Sequence, residues 1–347
     1  MGYFIVFFIG FILAFVLTPI AEKIGIKFGA VDIPDERKVH QSPIPRVGGL
    51  SIYAAFAIAF FSGFFYLHTK GELFLVTGDE IIGIFLGGFV ILLFGLADDL
   101  KSLKPRDKFI GQISAALILI FFGTRIDYIN NPGNGIISLG ILSIPLTIFW
   151  VVALINTFNF LDGLDGLAAG VSCIAATTFF IFSLLTNQFI LALLCMAVVG
   201  SSLGFLRHNF YPAKIFMGDS GSMFLGYIIA AISIQGAIKS IALISLYMTV
   251  IIVAIPIFDT FFAIIRRIRK GKSIIEADND HIHHRLLRKG LSHPTAVIII
   301  YIWTVILSCA GLALKFVPLP FKLAIFVGLF IMSLLIFWYS GLYRDFF

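Results

Sequence analysis

The chain has 347 residues, of which 59% are hydrophobic and only 13% charged, with a formal net charge of +6. Ordinary soluble domains carry about 25% charged residues, so the polar side chains here are too few to cover a water-exposed surface, and a soluble globular protein is excluded. The apolar runs are long and unbroken rather than alternating, which also excludes a transmembrane β-barrel and predicts an all-α bundle of membrane helices.

Eleven apolar runs along the chain approach the length of about 17–25 residues that a membrane-spanning helix needs. They lie at 3–20, 47–67, 80–96, 109–123, 141–158, 167–186, 189–206, 223–238, 241–265, 295–314 and 321–340. An odd number of helices places the two chain ends on opposite sides of the membrane. We therefore predict a polytopic protein of about 11 transmembrane helices that forms a single domain over residues 1–347.

Positive charge is distributed unevenly between the segments that connect these runs. Of the 25 Lys and Arg residues, 20 lie in the segments of one side, which are 21–46, 97–108, 159–166, 207–222, 266–294 and 341–347. An excess of Lys and Arg in short loops marks the cytoplasmic side of a membrane protein. The N-terminus is therefore predicted outside and the C-terminus in the cytoplasm, and the first five of these segments are predicted to be cytoplasmic active-site loops.

Two adjacent aspartates, Asp98 and Asp99, directly follow a predicted membrane helix. Carboxylates near hydrocarbon are costly, so they are candidates for function. Neighbouring carboxylates repel each other unless a metal or a cationic partner is present, which suits one metal ligand and one base. The alternative is a polar helix end whose charge is balanced by the basic residues that follow, and this motif alone leaves both interpretations open.

The segment 156–167 carries two Asp-Gly steps three residues apart, at Asp162 and Asp165, and two amides before them, Asn156 and Asn159. If this connection is helical, both carboxylates share one face. Either aspartate alone is also suited to cap the helix predicted to begin near Leu167. Two acids and two amides exceed what a cap needs, so the segment indicates a functional site.

Asp219 lies in the sequence Met-Gly-Asp-Ser-Gly-Ser at the start of another predicted helix. Small residues at a helix start expose backbone N–H groups, which favour phosphate oxygens, and Asp219 is then free to hold a cation that bridges them. The lysine of a P-loop is absent from this motif, so a nucleotide-hydrolase fold is not implied.

Basic residues dominate two further segments of the same predicted side. On a helix, His281 and His284 share a face and Arg285 lies beside His281, an arrangement suited to a diphosphate or a nucleotide. The alternative is a basic loop held against anionic lipid. Arg46 adds a cation near the N-terminal loop, which positive-inside anchoring explains only in part.

Taken in chain order, these motifs resemble the polyprenyl-phosphate N-acetylhexosamine-1-phosphate transferase superfamily over almost the whole chain. The resemblance rests on the aspartate pair at 98–99 and on the segments 156–166, 216–222 and 281–285. Within that superfamily, the Asp-x-Pro-x-x-Arg-Lys-x-His sequence at 32–40 and the His-Ile-His-His-Arg sequence are similar to the undecaprenyl-phosphate GlcNAc-1-phosphate transferase branch. The phospho-MurNAc-pentapeptide translocase branch carries three consecutive histidines, a run that Ile282 interrupts here.

The resemblance implies an enzyme of the bacterial cytoplasmic (inner) membrane that transfers GlcNAc 1-phosphate from UDP-GlcNAc to undecaprenyl phosphate. The products are UMP and undecaprenyl-diphosphate-GlcNAc, in the first membrane step of a cell-envelope glycopolymer pathway. The family reaction uses Mg²⁺ or Mn²⁺. A homodimer and contacts with membrane lipids are implied as well, whereas nucleic acid is not expected as a partner.

Matching motif positions then carry the family's roles onto this chain. The expected metal ligand is Asp219, with Asp99 as a second, and Asp98 is expected to deprotonate or orient the acceptor phosphate. Asp162, Asp165, Asn156 and Asn159 are assigned to nucleotide and sugar positioning. The remaining substrate-binding residues are His281, His283, His284 and Arg285, on the donor diphosphate, together with Arg46 and Lys108.

Other functions stay open at this point. The same chemistry with another UDP-N-acetylhexosamine or with UDP-MurNAc-pentapeptide is the nearest alternative. A proton-coupled anion or lipid transporter is a different class, but transport predicts ionisable residues near the middle of the membrane and two related halves. The ionisable residues here cluster at one predicted surface, and no internal repeat is visible in the sequence.

Overall fold

A computed structural model gives the structure of the protein. It describes residues 1–33, 43–70, 78–131, 135–239, 250–251, 254–269, 271, 282–313 and 316–317, together with 321, 324–325, 327–329, 331–332 and 335. Two compact units divide the chain, Met1–Leu246 and Tyr247–Phe347. The prediction of one domain over the whole chain stays a prediction, and each unit is described by itself.

The first unit contains eight helices within the described residues. They are α1 (Gly2–Phe28), α2 (Gly49–Thr69), α3 (Gly78–Lys101), α4 (Pro105–Phe121), α5 (Ser143–Leu161), α6 (Leu167–Leu185), α7 (Phe189–Asn209) and α8 (Gly218–Lys239). Two short antiparallel ribbons accompany them: β1 (Val31–Asp32) pairs with β2 (Ile44–Pro45), and β3 (Tyr128–Asn131) pairs with β4 (Gly135–Ser138). A 3₁₀ turn, Gly140–Leu142, precedes α5.

The second unit contains three helices within the described residues, α9 (Ala254–Arg269), α10 (Ile282–Arg288) and α11 (His293–Ala313). Asp259 on α9 is buried, and its Oδ1 accepts a hydrogen bond of 2.9 Å from the Ile282 N–H, the first of α10. This bond ties the start of α10 to α9.

The prediction of an all-α polytopic membrane protein is confirmed. The structure is about 82% helical, and eight helices within the described residues are long and apolar enough to cross a membrane. The predicted run 109–123 corresponds to α4, which has 17 residues. Most of the run 321–340, and the first part of 241–265, lie outside the described residues, so the count of eleven and the orientation of the chain ends stay predictions.

Helix α8 forms the core of the first unit. In an apolar stretch of 18 residues in α8, 94% of the residues are buried, whereas the corresponding share in α1 is 28%. Helices α2, α3, α5 and α6 all pack against α8. Helix α8 is the least apolar of the eight candidate membrane spans and carries many small and polar residues, which membrane proteins place between helices rather than against lipid. Helix α1 is the most apolar of them and turns side chains such as Phe4 and Phe8 outward.

Polar side chains within this core are paired with one another. Tyr227 donates a hydrogen bond of 3.1 Å to the Gly83 carbonyl of α3, and Gln235 donates one of 2.8 Å to Thr124 Oγ1. Trp150 Nε1 donates to Ser233 Oγ at 2.9 Å. Because an unpaired buried polar group is costly, these bonds fix how α8 sits against α3 and α5.

The start of α8 is held by backbone contacts with the segment that leads into α2. The Gly48 N–H donates to the Phe216 carbonyl at 3.1 Å, and the Gly49 N–H donates to the Met217 carbonyl at 3.0 Å. Gly95 of α3 lies against the same place, because a Cβ there would overlap the backbone of Ser220. The beginnings of α2 and α8 and the end of α3 therefore meet with no side chains between their backbones.

This close approach generates a stability prediction. Gly95→Ala should destabilise the protein by about 1–3 kcal/mol, because the added methyl group forces α3 away from the first turn of α8. Gly78→Ala, in the same helix, is the matched control, since nothing lies within 4 Å of a Cβ at that position. Thermal unfolding of both purified variants in detergent measures the difference. Equal Tm values for Gly95→Ala and wild type would contradict the packing described.

Candidate active site

Polar side chains from four helices meet at one end of the first unit. Asp98 and Asp99 lie in the last turn of α3, Lys108 in the first turn of α4, Asn159 in the last turn of α5, and Asp219 at the second position of α8. We call Asp98, Asp99 and Asp219 the aspartate cluster. The sequence predicted these acids on one membrane surface, and the structure brings these three together through the contacts described next.

Lys108 bridges two members of the aspartate cluster. Its Nζ lies 2.8 Å from Asp98 Oδ2 and 2.5 Å from Asp219 Oδ2, and the exposed fractions of the Asp98 and Asp219 side chains are 11% and 24%. Water screens such a partly buried contact less than it screens a surface ion pair. The ammonium group therefore offsets the repulsion between two carboxylates. Lys108 thus has a role within the protein, and its predicted role in substrate binding stays a prediction.

Asp98 is also fixed by its own backbone neighbourhood. Its Oδ1 accepts a hydrogen bond of 2.7 Å from the Leu103 N–H, in the short connection between α3 and α4. One oxygen of Asp98 thus orders the turn that leads to Lys108, and the other contacts the Lys108 ammonium. Sequence and structure agree on the location of this acid at a helix end.

Asp99 caps the N-terminus of α8. Its Oδ1 accepts from the Asp219 N–H at 2.8 Å and its Oδ2 from the Ser220 N–H at 3.1 Å. Gly218 precedes them with a φ of +71°, a left-handed conformation that favours glycine. The sequence predicted that these N–H groups bind phosphate, whereas in the structure they bind the Asp99 carboxylate. Asp99 itself was predicted as a second metal ligand, and that role stays a prediction.

Arg46 lies beside this cap. Its Nε donates a hydrogen bond of 3.1 Å to the backbone carbonyl of Asp99, and its own N–H donates to the Ala30 carbonyl at 3.0 Å. A Cβ at Gly218 would meet the Arg46 carbonyl and the Asp99 carboxylate. Arg46 therefore joins the segment before α2 to the end of α3, at the place where the sequence predicted a cation for phosphate.

The two amides of α5 have different partners. Asn159 Nδ2 donates to Asp219 Oδ1 at 3.1 Å and to Ser222 Oγ at 3.0 Å, so Asn159 belongs with the aspartate cluster. Asn156 instead forms a reciprocal amide pair with Gln112 of α4. Sequence reasoning missed Gln112 and Ser222. The available signal for Gln112 was an amide inside an apolar run, four residues after Lys108.

The two Asp-Gly aspartates follow α5 in the connection to α6. Burial, together with the charges of Asp219 and Asp99, raises the pKa of the Asp162 carboxyl well above its usual range. Asp165 Oδ2 accepts from the Ala213 N–H at 2.9 Å, and the neighbouring Gly166 N–H donates to Asn209 Oδ1 at 3.0 Å. The charges of the aspartate cluster therefore act on Asp162. Asp165 instead binds the backbone of the segment that leads to α8.

The predicted donor-binding residues belong to the second unit. His281 lies outside the described residues. His283, His284 and Arg285 lie on α10, where the structure describes the backbone of the two histidines and a half-buried Arg285. Their predicted contacts with the donor diphosphate stay predictions.

The residues at the site fit a divalent cation held in part by substrate. Within the described ranges, no group of three or more His, Cys, Asp or Glu side chains is arranged to hold a metal. Mg²⁺ is usually bound through one or two carboxylates together with phosphate oxygens. The aspartate cluster has three carboxylates, and the Lys108 ammonium contacts two of them, Asp98 and Asp219. This excess of oxygen ligands and negative charge suits such a cation.

The fold and this site define a class of protein: a polytopic membrane protein with a preorganised, charged site where its helices end, suited to phosphate chemistry. Residues 81–237 match the glycosyl transferase family 4. A probable undecaprenyl-phosphate N-acetylglucosaminyl 1-phosphate transferase of Bacillus subtilis (strain 168) is 40% identical over 320 residues, which cover 92% of this chain and 85% of the relative.

Two further relatives carry similar names. A decaprenyl-phosphate N-acetylglucosaminephosphotransferase of Mycolicibacterium smegmatis is 40% identical, with 82% of this chain and 75% of the relative covered. An undecaprenyl-phosphate alpha-N-acetylglucosaminyl 1-phosphate transferase of Escherichia coli (strain K12) is 30% identical, with 88% and 83% covered. The chain therefore belongs to the polyprenyl-phosphate N-acetylhexosamine-1-phosphate transferase superfamily, in its undecaprenyl-phosphate GlcNAc-1-phosphate transferase branch.

The bridging ammonium generates a prediction about turnover. Lys108→Met should lower the rate of sugar-1-phosphate transfer by about 10²–10³, the usual effect of removing one preorganised electrostatic contact. Lys104→Met is the matched control, because Lys104 is exposed just before α4 and has no contact with the aspartate cluster in the described structure. Initial rates with membranes of matched expression give the comparison. A Lys108→Met rate within threefold of wild type would refute the bridging role.

Proposed function

We propose that this protein transfers GlcNAc 1-phosphate from UDP-GlcNAc to undecaprenyl phosphate, giving undecaprenyl-diphosphate-GlcNAc and UMP. The observation that carries the proposal is the cation-bridged aspartate cluster at the ends of membrane helices. Relatives named for this transfer, which align with most of the chain, support it. A polyprenyl phosphate has a lipid tail and a charged head, so an enzyme that uses it needs a charged site beside the membrane.

In this reaction an oxygen of the acceptor phosphate attacks the β-phosphorus of UDP-GlcNAc, and the bond from that phosphorus to the oxygen bridging it to the α-phosphorus breaks. UMP leaves with that oxygen. Asp98 is proposed to orient or deprotonate the acceptor phosphate, and it suits the role because Leu103 and Lys108 fix its carboxylate. Lys108 keeps Asp98 and Asp219 in place while further negative charge enters the site.

A Mg²⁺ or Mn²⁺ ion is proposed as the cofactor. Asp219 would hold it, since this carboxylate is partly exposed and oxygen ligands are what Mg²⁺ prefers. Asp99 is less suited to be the second ligand, because it is buried and both of its oxygens accept backbone N–H groups of α8, whereas the Asp219 oxygens contact the side chains of Lys108 and Asn159. The ion, when bound, offsets the charge of the diphosphate and helps to align it.

The finer topology is part of the proposal. The 20 to 5 distribution of Lys and Arg supports eleven helices, an outer N-terminus and a cytoplasmic active site in the inner membrane of a bacterium. Binding of the donor diphosphate by His281, His283, His284 and Arg285, and a homodimer, are proposed from the family resemblance alone.

A first experiment tests the reaction. Purified protein in detergent, with undecaprenyl phosphate and Mg²⁺, should release UMP from UDP-GlcNAc and not from UDP-MurNAc-pentapeptide, whose peptide arm needs additional space beside the sugar. UMP is quantified by chromatography. Preference for the pentapeptide donor would overturn the branch of the proposal, and UMP release from neither donor would overturn the reaction.

Two controls belong to this assay. A metal chelator should abolish UMP release, and excess Mg²⁺ should restore it. Asp219→Asn keeps the size of the side chain and removes its charge, so UMP release should fall by orders of magnitude while the Tm stays close to that of wild type. Turnover that is insensitive to the chelator would remove the metal from the proposal.

A second experiment tests the orientation. In a cysteine-free background, cysteines at Asp79 and Asn187 should react with a membrane-impermeant thiol reagent added outside intact cells. Cysteines at Ser102 and Arg106 should react only after the membrane is opened. All four positions are exposed, so access to the reagent depends on the side of the membrane. Labelling of Ser102→Cys in intact cells would reverse the proposed orientation.

A further inference from the structure

Gln112 and Asn156 form an amide pair between α4 and α5, next to the aspartate cluster. Asn156 Nδ2 donates to Gln112 Oε1 at 2.7 Å, and Gln112 Nε2 donates to Asn156 Oδ1 at 3.3 Å. The Gln112 side chain is 3% exposed. Two amides that exchange hydrogen bonds in this way hold two helices at one separation and one register.

Asn156 has no donor left for a substrate. The NH₂ group of an asparagine offers two hydrogens. One is donated to Gln112 and the other to the Val152 carbonyl, one turn earlier in α5, at 2.8 Å. A ligand that took a hydrogen bond from Asn156 would break one of these contacts in a partly buried place. The geometry therefore favours a role inside the protein over nucleotide or sugar binding.

The amide pair lies one helical turn from the groups that hold Asp219. On α4, Gln112 follows Lys108 by four residues, and on α5, Asn156 precedes Asn159 by three, so each pair of residues shares a helix face. Lys108 and Asn159 both contact the Asp219 carboxylate. Helices α4 and α5 are thus joined by two successive connections, one through Asp219 and the other through the amide pair.

We propose that Gln112 and Asn156 are positioning residues, which keep Lys108 and Asn159 at the separation that the Asp219 carboxylate requires. This inference rests on the proposed function, because the consequence of losing the pair is a slower transfer step. A displacement of about 1 Å at a reacting centre is enough to cost roughly 10²-fold in rate. Substrate affinity should change little, since the two amides bind each other and Asn156 donates its remaining hydrogen to the Val152 carbonyl.

The test compares four variants: Gln112→Met, Asn156→Leu, the two combined, and the exchanged pair Gln112→Asn with Asn156→Gln. Both single variants should lower kcat by roughly 10- to 100-fold, with KM for UDP-GlcNAc within about twofold of wild type. The combined variant should be no worse than either single one, because residues that act as a unit are not additive. The exchanged pair keeps two amides of the same total length and should recover most of the lost kcat.

Ser114→Ala on α4 is the matched control, because Ser114 donates only to the Ile110 carbonyl of its own helix, and both kinetic constants should stay as in wild type. A rise in KM with Asn156→Leu, while Gln112→Met has no effect, would overturn the proposal and return Asn156 to substrate binding. Additive losses in the combined variant, or an exchanged pair as slow as the single variants, would also overturn it.

Folding and function are separated by two further measurements. Tm values of the four variants show whether a low rate reflects loss of fold, and the exchanged pair, which keeps both amides, still decides the case if the apolar variants unfold. Absence of UMP release by the wild-type protein would overturn the proposed function, together with the positioning role. The Tm coupling between positions 112 and 156 would then still report whether the pair joins the two helices.

Discussion

The site depends on how α8 begins inside the protein. The first N–H groups of a helix have no partner within the helix and carry partial positive charge. In α8 two of them are satisfied by the single carboxylate of Asp99, from the last turn of α3. This contact fixes the backbone of Asp219 itself. The direction of the Asp219 side chain, and with it the position of Lys108, follows from a bond between two helix ends.

The same contact explains how three carboxylates coexist in a small volume. Asp99 is offset by the helix end, and Asp98 and Asp219 share the ammonium of Lys108. Fixed groups therefore balance much of the negative charge before any substrate arrives. Preorganised charges of this kind stabilise a charged transition state without rearrangement at the moment of reaction, and two anionic substrates can approach a site whose own acids are already held in place.

Much of this arrangement was predictable, because Asp98 and Asp99 stand where an apolar run ends and Asp219 stands shortly before another begins. That pattern predicted these acids on one membrane surface, and in the structure Asp98, Asp99 and Asp219 lie together at the helix ends. The partner of the first turn of α8 was not predicted: the sequence indicated that the Gly-Asp-Ser-Gly segment before the apolar run opens the helix, as it does from Gly218, but assigned its N–H groups to phosphate. Glycine and serine have low helix propensity, and what stabilises this first turn is Asp99, 120 residues away in sequence. No local sequence pattern indicates that contact.

The helices also extend beyond their apolar runs for a physical reason. Helix α1 was predicted over 3–20 and continues to Phe28, and α3 was predicted to end at 96 and continues to Lys101. A hydropathy pattern ends where the polar residues begin, but a helix continues while its polar side chains find partners. In α3 those partners are Lys108 and the start of α8, so the extra turn exists because of the site.

Amide partners escape sequence reasoning in the same way. The role of Gln112, a single amide inside an apolar run, cannot be inferred until the helix that packs against it is known. Its partner, Asn156, lies within a motif that suggested substrate binding. A buried amide in an apolar environment is stable only when its donors and acceptors are paired. The pair between α4 and α5 meets that requirement, and it does so directly below the groups that hold Asp219. The distance between charged groups in this site is therefore set by neutral ones, one turn deeper in the bundle.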